Sequence, residues 1–163
     1  MDVEEAIRTR RTHKAYGPEP VDRATLDALF ELARWAPNHH LTNPWRFRVL
    51  GPRALARLKQ AAGPEAAGKL DRAPTLIVVS AAGNEEDRDA TAVAAYIVLL
   101  AAHARGLAGY WRTPEVLRTP AGRAAVGVPD GEEVLGLLHL GRPRQAQRVP
   151  ERAPVGEVVT YLE

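Results

Sequence analysis

An α+β fold is what this 163-residue chain predicts, and three stretches predict it. Thr75-Leu76-Ile77-Val78-Val79 is an apolar run without polar alternation, the pattern of a central strand covered on both faces. The segment from about Asp89 to Arg105 is long and alanine-rich, which suits a helix packed closely against another. Val134 to Leu140 repeats the strand pattern late in the chain. Helix and strand signals are interspersed with no internal repeat and no second domain, so residues 1–163 are expected to form one domain.

In chain order, Val3, Ala6 and Ile7 predict a short helix that breaks into the basic segment Arg8-Thr9-Arg10-Arg11-Thr12-His13-Lys14. Gly17-Pro18-Glu19-Pro20 forms a stiff connector. Asp22 is placed to cap a second helix, in which Leu26, Leu29, Phe30 and Ala33 repeat at helical spacing before Pro37 ends it. Arg46 to Leu50 alternates polar and apolar and reads as a strand, and Ala54 to Ala62 reads as a helix closed by Gly63-Pro64. The long helix carries Ala92, Ala95, Tyr96, Leu99 and His103 along one side and stops at Gly106. Leu107 to Trp111 reads as a further strand. A polar tail from Pro143 finishes in Val158-Val159-Thr160-Tyr161-Leu162, a strand signature with nothing after it to pair with, so docking on a partner subunit is expected.

Composition narrows the function. Net charge is +2 with basic residues spread along the chain, and Trp35, Trp45 and Trp111 are scattered, which speaks against a nucleic-acid interface. The chain has no cysteine, and with it no disulfide, thiolate nucleophile or cysteine zinc site. Met1-Asp2-Val3-Glu4-Glu5 is no signal peptide and the longest apolar stretch, around Ala92 to Ala102, is too short to span a bilayer, so a cytoplasmic protein with no membrane partner is expected.

Two segments carry chemistry. Ala36-Pro37-Asn38-His39-His40-Leu41-Thr42-Asn43-Pro44-Trp45-Arg46-Phe47 holds imidazoles, amides, a hydroxyl and an indole between stiffening prolines. It reads either as a ligand loop or as a helix-to-strand turn whose polar groups cap chain ends. Arg10, Arg11, Thr12 and Lys14 match the oxygens of a phosphate monoester, or else form a solvated basic turn. His39 and His40 are adjacent and expected to point in different directions, so no metal site is expected; His103 and His139 read as packed or capping residues. No hydrolase triad is visible, Ser80 being the only serine, and Gly106-Leu107-Ala108-Gly109 lacks the third glycine of a dinucleotide fingerprint. A chain so short of acid, base and nucleophile suggests a borrowed cofactor.

These segments carry a resemblance. Arg10-Arg11-Thr12-His13-Lys14-Ala15-Tyr16 resembles the opening Arg-Arg-Ser/Thr-x-Arg/Lys motif of the nitroreductase family of FMN-dependent enzymes. The Pro37 to Phe47 loop is similar to that family's Ala-Pro-Ser-x-x-Asn-x-Gln-Pro-Trp-Arg-Phe signature. Gly106-Leu107-Ala108-Gly109-Tyr110-Trp111-Arg112-Thr113 and Leu140-Gly141-Arg142-Pro143 follow in the family's order. The resemblance implies a nitroreductase-like fold, with a mixed, mostly antiparallel sheet flanked by helices, in an intertwined homodimer with FMN at the subunit interface.

It implies that Arg10 and Thr12 hold the FMN phosphate, with Arg11 at the ribityl chain or ring edge and Arg142 or Arg152 completing the phosphate site. Asn38 and His39 would reach the flavin from the other subunit, with Trp35 beside them. Trp111, Arg112 and Thr113 would pass along the flavin face, and Lys69 would stand near its pyrimidine end. The implied activity is reduction of a nitroaromatic, quinone or similar small-molecule acceptor by NAD(P)H in a ping-pong sequence. Alternatives are dehalogenation or flavin fragmentation on the same fold, or flavin binding without turnover. Leu41 and Asn43 depart from the family's Asn and Gln, His39 and His40 replace small residues, and the long mid-chain insertion of larger members is missing, so a more open pocket is expected.

Overall fold

The structure is a computed structural model and describes residues 1–162. Helix α1 (Val3–Thr9) and helix α2 (Arg23–Ala33) each begin on an aspartate: Asp2 accepts from the Glu5 N–H at 2.8 Å and Asp22 from the Thr25 N–H at 2.9 Å. Strand β1 (Trp45–Val49) leads to helix α3 (Pro52–Ala67), which runs past its expected stop. Gly63 takes φ 76° and turns the expected end into a kink, after which Pro64 starts the new turn where its missing N–H costs nothing. Strand β2 (Thr75–Ala82) is followed by helix α4 (Glu85–Ala104), which starts earlier than its apolar pattern because Asn84 and Asp87 form a reciprocal capping box. Strand β3 (Ala108–Arg112), helix α5 (Pro120–Ala125) and strand β4 (Glu132–Gly141) complete the elements that shape the site.

The sheet order is β1-β2-β4-β3, with every neighbouring pair antiparallel. The parallel component expected of a mixed sheet is confined to one bridge, Thr12 to Gly109, which lays the basic segment alongside the start of β3. Helices α2 and α4 cover one face over Ile77, Val79, Leu138 and Leu140. On the other face Leu58 of α3 and Ala125 of α5 pack with Leu76, Val78 and Leu137. Burial on both faces explains why the β2 segment reads as a continuous apolar run.

Between Val79 and Ser80 the β2–β4 register slips: Val79 pairs with Gly136 but Ser80 with Val134, leaving Leu135 as the extra residue of a bulge. Gly136 takes φ 155° beside it. The expected terminal strand is not formed within this chain. Val158 to Leu162 lies outside any ladder, with Tyr161 90% and Leu162 91% exposed, because a strand needs a neighbour for its backbone groups and this segment has none here.

Candidate functional site

The basic segment meets the tail of the chain. Arg10, Arg11 and Thr12 line one cleft of about 460 Å³ with Gln147, Arg148, Pro150 and Arg152. Four arginines line it and no Asp or Glu does. Arg10 Nε is buried without a hydrogen-bond partner, while its guanidinium carbon lies 5.8 Å from the centre of the Tyr96 ring. Arg11 is braced on backbone carbonyls, donating to Arg8 at 2.6 Å and to Arg10 at 3.0 Å.

The local field is positive. His103, hydrogen-bonded to Thr9 Oγ1 at 2.8 Å, is held below the usual imidazole range by burial and then by Arg10 and Arg11. His13 is lowered by burial, His103 and Arg10. A cationic cleft with an unpartnered donor at Arg10 Nε is suited to an oxyanion.

Arg152 belongs to this cleft and Arg142 does not. Arg142 lines a separate depression with Glu19, Asp22 and Arg105, and its carbonyl accepts from the Gly17 N–H at 2.9 Å. Arg148 was not singled out by the sequence; it has no motif around it, and only the fold of the tail brings it to Arg10.

From this cleft β3 runs outward as the edge of the sheet. His13 N–H donates to the Gly109 carbonyl at 3.1 Å, which fixes Gly109 as facing away from β4. Alternation then turns the Trp111 N–H and carbonyl to the same open side. At the far end Arg112 and Lys69 line a second cleft over Ala62, Ala66 and Val116, with Arg112 Nη1 donating to the Lys69 carbonyl at 3.4 Å. From Gly109 to Thr113 the edge extends about 13 Å. Thr113 itself is exposed and faces a further depression with Arg118 and Arg123. The Trp111 ring is committed to the sheet, its Nε1 donating to the Leu135 carbonyl beside the bulge at 3.1 Å.

The Pro37–Pro44 loop is held in an unusual shape. His40, Leu41 and Asn43 take φ 52°, 53° and 49°. Left-handed backbone costs non-glycine residues on the order of 1 kcal/mol each and persists where surroundings fix it. Asn38 is a main brace, its Oδ1 accepting from the Asn43 N–H at 2.9 Å and its Nδ2 donating to Ala36 at 3.2 Å. His39 and His40 do not diverge as expected. Their rings meet edge to face with centres 3.9 Å apart, because the left-handed turn at His40 swings its side chain back. Trp35 is 76% exposed at the end of α2, with Arg34 6.0 Å from its ring centre. Among the described residues no three His, Cys, Asp or Glu side chains group to hold a metal ion.

One helix separates the two halves. The loop touches α4 at its first turn, where Thr42 Oγ1 donates to Asp87 Oδ1 at 2.5 Å. The basic segment touches the same helix at its end, through His103. Asp87 and His103 are about 24 Å apart along the helix axis. Within one chain, Arg10 and Arg152 are therefore brought together, Lys69 and Arg112 are brought together, and Asn38, His39 and Trp35 are brought to neither.

Ser80 and His139, both of a type that can carry chemistry, are structural here. Ser80 is fully buried and donates to Glu132 Oε2 at 2.6 Å, beside the partly buried pair that Glu132 makes with Arg48. His139 is packed as expected, fully buried beside Tyr110 with both ring nitrogens unpartnered. No helix of the described residues is long and apolar enough to cross a membrane.

Known proteins share this fold. The Bacillus subtilis protein YfhC, named provisionally as an NAD(P)H nitroreductase, is 27% identical over 182 residues, covering 98% of this chain and 94% of its own. A nitroreductase-like family protein of Bacillus cereus superposes with a TM-score of 0.89 at 24% identity, covering 100% of this chain and 97% of that one. A provisionally named nitroreductase of Desulfovibrio desulfuricans, solved in complex with FMN, gives 0.83 at 28% identity, covering 99% and 96%. The model of the Nitroreductase family matches residues 7–142, from within α1 to just past the end of β4, so Arg10, Arg11 and Thr12, the free edge of β3 and the strained loop fall inside the match, while Gln147, Arg148, Pro150 and Arg152 on the other wall of the cationic cleft lie beyond it. By that match this chain belongs to the Nitroreductase family.

Proposed function

We propose that the protein is an FMN-dependent oxidoreductase that takes reducing equivalents from NAD(P)H and delivers them to a nitroaromatic, quinone or similar acceptor, acting as a homodimer with FMN between the subunits. The observation that carries the reading is the cationic cleft at the start of the free β3 edge, where Arg10 Nε is buried and unpartnered among four arginines. That donor set fits a phosphate monoester. The solved relative that contains FMN supports the same ligand.

Arg10, Arg11, Thr12, Arg148 and Arg152 would bind the phosphate. Lys69 and Arg112, at the far end of the edge, would face the electron-rich pyrimidine end of the flavin. Trp111 would offer its backbone N–H from the open side of β3, a fixed donor suited to charge that develops on the reduced ring. FMN supplies hydride exchange at its N5. The protein positions and polarises, and protons come from solvent. The separation of about 24 Å along α4 supports the composite site: the Asn38–His39 loop, with Trp35, would serve the flavin of the other subunit.

The absorption spectrum of the purified full-length chain tests this. A bound flavin near one per chain, bleached by NAD(P)H under anaerobic conditions and restored by a nitroaromatic, is expected. A chain that neither carries nor takes up FMN overturns the proposal; a flavin that NAD(P)H does not bleach leaves a binder without turnover.

A further inference from the structure

We propose that Thr42 and Asp87 are positioning residues for the cofactor loop: their hydrogen bond fixes the His39–Asn43 turn in the shape that meets the flavin. The inference rests on the FMN reading above.

The turn does not hold its shape by backbone preference, since three of its non-glycine residues are left-handed. The bonds from Asn38 to Asn43 and from Asn43 Nδ2 to the Leu41 carbonyl, 2.8 Å, tie the loop to itself. They would let it swing as one body. The Thr42 hydroxyl ties it instead to the first turn of α4, across 45 residues of sequence.

Asp87 is set to receive it. Its carboxylate is buried, its Oδ2 accepts from the Asn84 N–H at 3.0 Å, and its backbone N–H donates to Asn84 Oδ1 at 3.1 Å. A side chain at Gly83, where φ is 122°, would strike the Asp87 carboxylate, so the chain keeps that approach clear. The Thr42 hydroxyl, the Asn84 N–H and the nearby His39 imidazole, in that order, hold the Asp87 carboxyl below the usual carboxylate range. One carboxylate therefore serves both the helix cap and the loop. The loop's position is referenced to α4, the helix that meets the basic segment through Tyr96 at its middle and His103 at its other end.

Full-length protein stripped of FMN and titrated with FMN by flavin fluorescence quenching is the test, read together with hydrogen exchange at amides 39–43. Thr42→Val is expected to weaken FMN binding about tenfold and to speed exchange across the turn, with unchanged far-ultraviolet circular dichroism. Thr42→Ser, which restores the hydroxyl, is expected within about twofold of the parent. If Thr42→Val does not fold, Thr42→Ala removes the same hydroxyl without a methyl against the carboxylate and is held to the same criteria. A parent that binds FMN and a hydroxyl-free variant that binds it equally well overturn this inference alone. A parent that binds no FMN overturns the functional reading, and this inference with it.

Discussion

Trp111 and Leu135 are joined across the β3–β4 pair where β4 carries one residue too many: the indole N–H of the first fills the carbonyl that the bulge strips from the second, at 3.1 Å. The ring of Trp111 is thus occupied by the sheet, and its backbone is what remains for a ligand on the open edge.

Replacing that indole removes one partner from a partly buried pair. Trp111→Phe should lower stability by about 1 to 2 kcal/mol. Gly136→Ala should cost more, because φ is 155° there and a methyl would strike the indole. Urea unfolding of both variants checks the ranking, and a Gly136→Ala protein as stable as its parent contradicts this account of the bulge.

The cleft discriminates between two arginines that the sequence alone left as equals. Arg10→Ala and Arg152→Ala should each weaken FMN binding, since a charge-assisted contact is worth about 1.5 to 3 kcal/mol. Arg142→Ala should leave the affinity within about twofold of the parent. Titration of the three variants with FMN decides it; loss at Arg142 equal to that at Arg152 would mean that the tail sits differently when ligand is bound.

His139 gives the protein a pH dependence. Burial, then Arg112 and Arg72, pushes its pKa down from 6.5 to about 4. The unfolded chain therefore takes up a proton at a pH where the folded chain does not, and stability falls as pH drops from about 6.5 towards 4. Between pH 7 and pH 5 this amounts to about 2 kcal/mol. His139→Leu should flatten that slope, which urea midpoints at the two pH values will show.

The exposed tail predicts a change in assembly. Deleting residues 158–163 should lower both dimer content and retained flavin, because the apolar Val158, Tyr161 and Leu162 have no cover within the chain. Light scattering with an absorbance spectrum measures both, and a truncated protein that remains dimeric and yellow removes the tail from the interface.

Strands β2 and β4 were legible because both their faces are buried, which writes an unbroken apolar run into the sequence, and the edge strand β1 was legible through its polar–apolar alternation. The α4 start was not, because Asn84 and Asp87 act through a reciprocal cap and not through apolar spacing. Gly63-Pro64 reads as a stop, yet a glycine at φ 76° and a proline suited to a first turn let α3 resume. Arg10, Arg11 and Thr12 were legible as a basic cluster from local sequence, and the structure lays them along one cleft. Arg148, Asp87 and the contact between His39 and His40 were hidden, since each depends on distant chain or on a left-handed backbone that residue type does not announce.

The span of α4 also bears on how such a chain can change over time. One residue added to or deleted from its middle turns everything beyond by about 100° and shifts it by about 1.5 Å. Thr42 at one end and Thr9 at the other would then address the wrong faces of the helix. Length variation in this protein should collect in connectors such as residues 127–131, between α5 and β4, and the number of residues between Asp87 and His103 should resist insertion and deletion even where the residues themselves are freely exchanged.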